Sequence, residues 1–126
     1  MSIEIWEPVR WDITVPAGAS FIEQITMLDS NGDPLPIEDY TAEMDFRVRY
    51  KDPTPLVRLT KDNGITLGSG GVITIELTHS QTSLLGTTRD QTVVTSLEIT
   101  SPTGFRIRVF DGEWVFTPEA TKGIIT

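Results

Sequence analysis

The chain has 126 residues, of which 18 are acidic and 10 basic, giving a formal net charge of −8, and it contains no cysteine. That length fits one domain, the missing thiols exclude disulfides, thiolate metal sites and cysteine nucleophiles, and the acidic balance argues against a general nucleic-acid or anionic-membrane binder, whose phosphate affinity comes largely from Lys and Arg. Thr, Ile and Val together supply 40 residues against 4 Ala and 9 Leu, a balance that predicts an all-β protein.

Residues Met1 to Glu7 hold two acids and no base before a short apolar stretch, unlike a secretory signal, and no apolar run approaches the roughly 18 residues of a membrane span. The encoded chain is therefore expected to be the mature one. Ile13 and Val15 form a first strand ending at Pro16-Ala17-Gly18. Phe21, Ile25 and Met27 share a face and lead into Asp29-Ser30-Asn31-Gly32-Asp33-Pro34, where Asn31-Gly32 is a strong hairpin-turn signal. From Ala42 to Tyr50 apolar and charged residues alternate, as in a strand with one face in a core and one in water. Val57-Arg58-Leu59 and Ile65-Thr66-Leu67 are short strands around Lys61-Asp62-Asn63-Gly64, a turn that accepts positive φ. After Gly68-Ser69-Gly70-Gly71 comes a strand over Val72 to Leu77. Thr78 to Gly86 reads as a short helix with Thr78 as N-cap, Gln81 at the capping-box position and Gly86 as its stop, closing one end of the fold through Leu84 and Leu85. Thr95 to Thr100 and Phe105 to Val109 flank Ser101-Pro102-Thr103-Gly104 as a hairpin, and Trp114-Val115-Phe116 is a separate last strand stopped by Pro118. About nine strands punctuated this regularly favour a sandwich or barrel.

The inventory for chemistry is thin. His79, the single histidine, lies in the first helical turn beside Ser80, and no nucleophile-elbow motif surrounds Ser80, Ser83 or Ser96. An exposed polar residue at a helix start is the simpler reading. Glu43, Asp45, Glu76 and Glu98 occupy the water-facing phase of their strands, as do Arg47, Arg49, Arg58, Arg106 and Arg108, so cross-strand ion pairs are expected rather than a catalytic carboxylate pair. Asp29 to Asp33 begins like a calcium loop, but its glycine stands at position four and Tyr40 at position twelve, which favours a plain turn. Gly68 to Gly71 lacks a following Lys and opens a strand, so it is not a phosphate loop. No cofactor or metal is expected. Trp114 reads as core, whereas Trp6 could equally pack back over an open end of the fold or anchor a partner, and a carbohydrate platform is the third reading for Trp6 and Trp11.

The ordered series Asp12-Ile13-Thr14-Val15, Phe21, Asp29 to Pro34, Ile37-x-x-Tyr40-Thr41-Ala42 and Arg47-Val48-Arg49 resembles small phage and prophage virion proteins. It continues through Gly64-Ile65-Thr66-Leu67, Gly71 to Ile75, Thr78-x-x-Gln81-Thr82, Leu97 to Gly104 and Phe116-x-Pro118-Glu119. Over residues 12–119 the chain looks like the immunoglobulin-like β-sandwich at the start of phage baseplate upper proteins. The resemblance implies an immunoglobulin-like antiparallel β-sandwich of eight to nine strands with one short helix at about 79–85, flanked by an N-terminal arm (1–11) and a C-terminal tail (120–126). Baseplate upper proteins carry a coiled-coil and receptor-binding extension that does not follow here, which implies a docking module alone.

The expected function is a non-enzymatic virion structural protein, a tail or baseplate adaptor present in multiple copies. Its partners would be other virion proteins and further copies of itself, with no nucleic acid or membrane, and it would be made in the bacterial host cytoplasm. Ile3, Ile5, Trp6 and Trp11 at one end and Ile124 and Ile125 at the other are the expected partner contacts. The alternatives are a capsid decoration protein and a carbohydrate-binding module.

Overall fold

The computed structural model describes residues 2–4, 9–86 and 89–119. Nine strands are described: β1 (Ser2–Glu4), β2 (Ile13–Pro16), β3 (Phe21–Leu28), β4 (Thr41–Arg47), β5 (Val57–Lys61), β6 (Gly64–Leu67), β7 (Val72–Leu77), β8 (Gln91–Thr100) and β9 (Arg106–Thr117). One helix, α1 (His79–Leu85), and a single 3-10 turn over Ser69–Gly71 complete the set. The strands form one hydrogen-bonded sheet in the order β1-β3-β7-β6-β5-β4-β8-β9-β2. The fold is all-β with one short helix, as expected.

The sheet curls back on itself. Phe21 on β3 meets Trp114 on β9 with ring centroids 5.3 Å apart, although five strands lie between them in the sheet order. In a flat sheet, six spacings of about 4.8 Å would hold those strands roughly 29 Å apart. Chain length demands the same result, because the two outermost strands, β1 and β2, are joined by only nine residue steps, from Glu4 to Ile13. Those steps reach roughly 32 Å at full extension, short of the roughly 38 Å between the edges of a flat nine-stranded sheet.

The inner face follows from alternation. Ala42, Met44 and Phe46 of β4, Ile73, Ile75 and Leu77 of β7, and Val93, Thr95, Leu97 and Ile99 of β8 are all buried, each set at every second residue, which puts it on one side of its strand. Trp114 is fully buried at the centre and packs near Trp11, Phe46, Phe110 and Phe116 as well as Phe21. Its indole N–H, which would be costly to bury unpaired, donates to the Trp11 carbonyl at 3.0 Å.

Several expectations are corrected. The sheet is mixed, since β1–β3, β2–β9 and β5–β6 pair in parallel. The turn at Asn31-Gly32 forms, with Gly32 N–H donating to Asp29 O, and it folds Pro34 and Leu35 back antiparallel on the end of β3, where Asp29 N–H donates to Asp33 O and Leu35 N–H to Met27 O. It does not pair β3 with β4, since β3 pairs with β1 and β7 while β4 pairs with β5 and β8. The segments 106–109 and 114–116 belong to the single strand β9, interrupted by a β-bulge opposite Leu97/Glu98, and Phe105 lies just before it. The bulge leaves Val109 and Phe110 both facing the core, which reverses the alternation and imitates a strand break. Finally, Ser2–Glu4, placed in a free arm by the sequence reading, is strand β1 against β3.

The helix cap forms as expected, with Thr78 and Gln81 exchanging both capping-box hydrogen bonds. Gly86 ends α1 in an extended conformation, not a left-handed one. It is small because a Cβ there would lie 2.9 Å from the Phe116 carbonyl oxygen. Leu85 is buried, but Leu84 points outward and Thr82 takes the second inward place. The Thr82 hydroxyl accepts from Gly18 N–H at 3.0 Å and donates to Ala19 O at 2.9 Å.

Candidate functional site

The proposed contact residues fare differently from one another. Ile3 is only 1% exposed, so it is spent on the chain's own core. Trp11 is half-buried, standing edge-on to Phe110 and Trp114 at 5.1 and 5.2 Å. Those contacts wedge it against the core aromatics and count against a flat carbohydrate platform at this residue. Ile5, Trp6, Ile124 and Ile125 lie outside the described residues.

Around Trp11 the chain is fastened by polar contacts. Trp11 N–H donates to Asp111 O at 2.8 Å, and the Asp12 carboxylate accepts from Glu113 N–H at 2.8 Å and from Arg10 Nε at 3.0 Å. The Glu113 amide first, and the Arg10 guanidinium second, hold the Asp12 carboxyl below its ordinary pKa. Gly112 lies beneath this segment, where a Cβ would sit 2.0 Å from the Trp11 carbonyl oxygen.

The outer face of β5, β4, β8 and β9 carries the expected charge ladder. Arg58 bonds Glu43 at 2.6 Å and Asp45 at 3.0 Å, Arg106 pairs with both Glu43 and Glu98, and Arg108 reaches Glu98 at 3.2 Å. Glu43 and Glu98 stand directly opposite in the β4–β8 register, an arrangement of like charges that is unfavourable by itself. Arg106 bridges them, and its guanidinium pKa is raised by Glu98 first and Glu43 second. Arg47 is drawn to Asp45 at 2.8 Å. Arg49 is the exception to the expected pairing: its backbone N–H donates to the Asp52 carboxylate in the turn after β4, and its residue is exposed.

The other candidates resolve locally. His79 is exposed in the first turn of α1. The Asp29 carboxylate accepts from Asn31 N–H and Asp33 N–H, so its own turn engages it. Among the described residues no group of three His, Asp or Glu side chains could hold a metal ion, and no helix is long and apolar enough to cross a membrane. The exposed apolar side chains were missed by the sequence reading. Ile22, Val48, Tyr50, Leu56, Leu84 and Phe105 are 38–65% exposed, and alternation alone assigned Val48 and Tyr50 to the core face of β4. The strand ends at Arg47, so neither reaches the core.

The chain is similar to the N-terminal domain of phage TP901-1 ORF48. The two share 11% identity over 94% of each chain, with a TM-score of 0.45. No family model and no curated protein sequence matches the chain.

Proposed function

We propose that this chain is a non-enzymatic phage virion structural protein, a tail or baseplate adaptor that docks in multiple copies onto other virion proteins. The observation that carries this reading is the ordered motif series from Asp12 to Glu119, which resembles the sandwich of baseplate upper proteins. Its elements fall at strand starts, turns and the capped helix, the positions that fix the path of the chain. The surface chemistry is compatible with an assembly part: outward arginines and carboxylates of four strands neutralise one another, and exposed apolar side chains lie largely on loops and the helix.

The test is immunogold labelling and quantitative mass spectrometry of gradient-purified particles, using antibody raised against the purified protein. The adaptor reading expects the chain in particles at a fixed multiple copy number with label on the tail. Label over the head would replace it with capsid decoration, and absence from particles containing the other structural proteins would overturn both.

A further inference from the structure

The two ends of β4 carry opposite surfaces. Before it, residues 29–40 hold Asp29, Asp33, Glu38 and Asp39 and no base; Asp33, Glu38 and Asp39 are exposed. After it, the loop from Val48 to Leu56 exposes Arg49 and Lys51 together with Val48, Tyr50 and Leu56, which are 38%, 65% and 46% exposed. The only acid of that loop, Asp52, is engaged by Arg49 N–H. Following strand directions through the sheet puts the start of β3 and the end of β7 at this same end of the molecule, and with them the exposed Ile22 and Leu84, with the exposed acids Glu76, opposite Ile22, and Glu23 beside it.

The structure thus has an apolar loop with two exposed cations at one end of β4 and an acidic loop at the other, where Lys61 supplies a cation to the Glu38 carbonyl at 2.7 Å; the seven residues of β4, or roughly 20 Å, separate them. We propose that copies of this chain associate head to tail, the 48–56 loop of one copy docking on the 29–40 loop of the next. Charge complementarity identifies the occupant: on a chain of net charge −8, the exposed cationic loop finds its opposite sign on the far pole of another copy. Two 29–40 loops repel each other, so a two-fold contact of the acidic end with itself is disfavoured. Head-to-tail contacts are heterologous and build rings when the rotation closes and filaments when it does not. The inference rests on the multiple-copy reading above and specifies its geometry.

Sedimentation velocity of the purified full chain, over a range of concentrations, tests it in about 0.1 M and 1 M salt. Screening acts over about 10 Å in the first and about 3 Å in the second, so association should be present at 0.1 M and at least tenfold weaker at 1 M. The double variant Arg49→Glu/Lys51→Glu should weaken association at least tenfold, and so should Glu38→Lys/Asp39→Lys. Combining all four changes in one chain should restore part of it, because positions 49 and 51 then carry acids and positions 38 and 39 carry bases, while Asp29 and Asp33 keep the 29–40 loop neutral overall. Circular dichroism melts establish that each variant is folded, and neutral Gln replacements at the same positions serve for any that is not, the expected effect then being loss at either pole. A chain monomeric at every concentration, a cationic-pole variant that associates like wild type, or a folded four-fold variant without recovery would overturn the proposal. Particle incorporation is read separately, so absence from virions defeats the adaptor reading, whereas a virion protein that remains monomeric in solution defeats only head-to-tail association.

Discussion

Replacing Gly112 by Ala should loosen the N-terminal segment from the sheet. A Cβ at this position would stand 2.0 Å from the Trp11 carbonyl oxygen and 2.7 Å from its carbon. Both are backbone atoms, so residues 10–12 must move as a unit. Three hydrogen bonds depend on their present position: Trp11 N–H to Asp111 O, Trp114 Nε1 to Trp11 O, and Glu113 N–H to Asp12 Oδ1. At about 0.5–1.5 kcal/mol each, with a further cost for leaving the buried indole N–H unpaired, the loss is about 2–4 kcal/mol. For a chain of this size that lowers the melting temperature by roughly 8–15 °C. Thermal unfolding followed by circular dichroism measures the shift, and tryptophan fluorescence should redden as Trp11 withdraws from Trp114. Gly32→Ala is the control: its φ is +83° with nothing within 4 Å of the new Cβ, so it carries only the left-handed backbone cost of about 1 kcal/mol. A Gly112→Ala protein within 0.5 kcal/mol of wild type, or more stable than Gly32→Ala, would refute the close-approach reasoning.

Thr95 is buried with no hydrogen-bond partner for its hydroxyl, so Thr95→Val should raise stability by about 1 kcal/mol in urea unfolding. Thr78→Ala removes the capping box and should cost about 1 kcal/mol, most of which Thr78→Ser recovers. Because folding depresses the Asp12 pKa below 3.8, its contribution is fully present above the unfolded value and is lost as pH falls through the folded one. Asp12→Asn should accordingly be less stable than wild type at pH 7, with the two melting curves converging as the pH drops below about 4. Arg106→Gln leaves Glu43 and Glu98 facing each other without their shared cation, and its destabilisation should shrink in melts at 1 M salt.

What the sequence revealed, and what it concealed, divides along physical lines. Local signals transferred directly: β7 spans Val72–Leu77 and α1 spans His79–Leu85, because alternation and a capping box are written within a few residues. The charge ladder was legible for the same reason, since the phase of a strand fixes which side chains meet water. Signals that depend on distant partners did not transfer. Strand β1 is three residues long with one buried side chain, too short to show a period, and the parallel pairing of β5 with β6 has no local mark. The extra residue in β9 shifted its phase and divided one strand into two. Trp11 shows the same limit at the candidate site, because its contacts come from Phe110 and Trp114, about a hundred residues later.

Both outer strands of the sheet come from the first sixteen residues: β1 covers the edge of β3, and β2 covers the edge of β9. Exposed edges invite pairing with other chains, and here the N-terminal segments of the chain itself take those positions. On either side of β2, Trp11 N–H and Ala17 N–H donate to Asp111 O and Thr117 O of β9. Residues of the opposite parity therefore face outward, among them Pro16, which has no N–H to offer, so the new edge is a poor template for a further strand. Ile3 contributes to this covering by filling the core rather than by reaching a partner. Head-to-tail association as proposed above would therefore draw on side-chain charge and exposed apolar groups of the loops at the ends of the strands, not on backbone hydrogen bonding at these two edges.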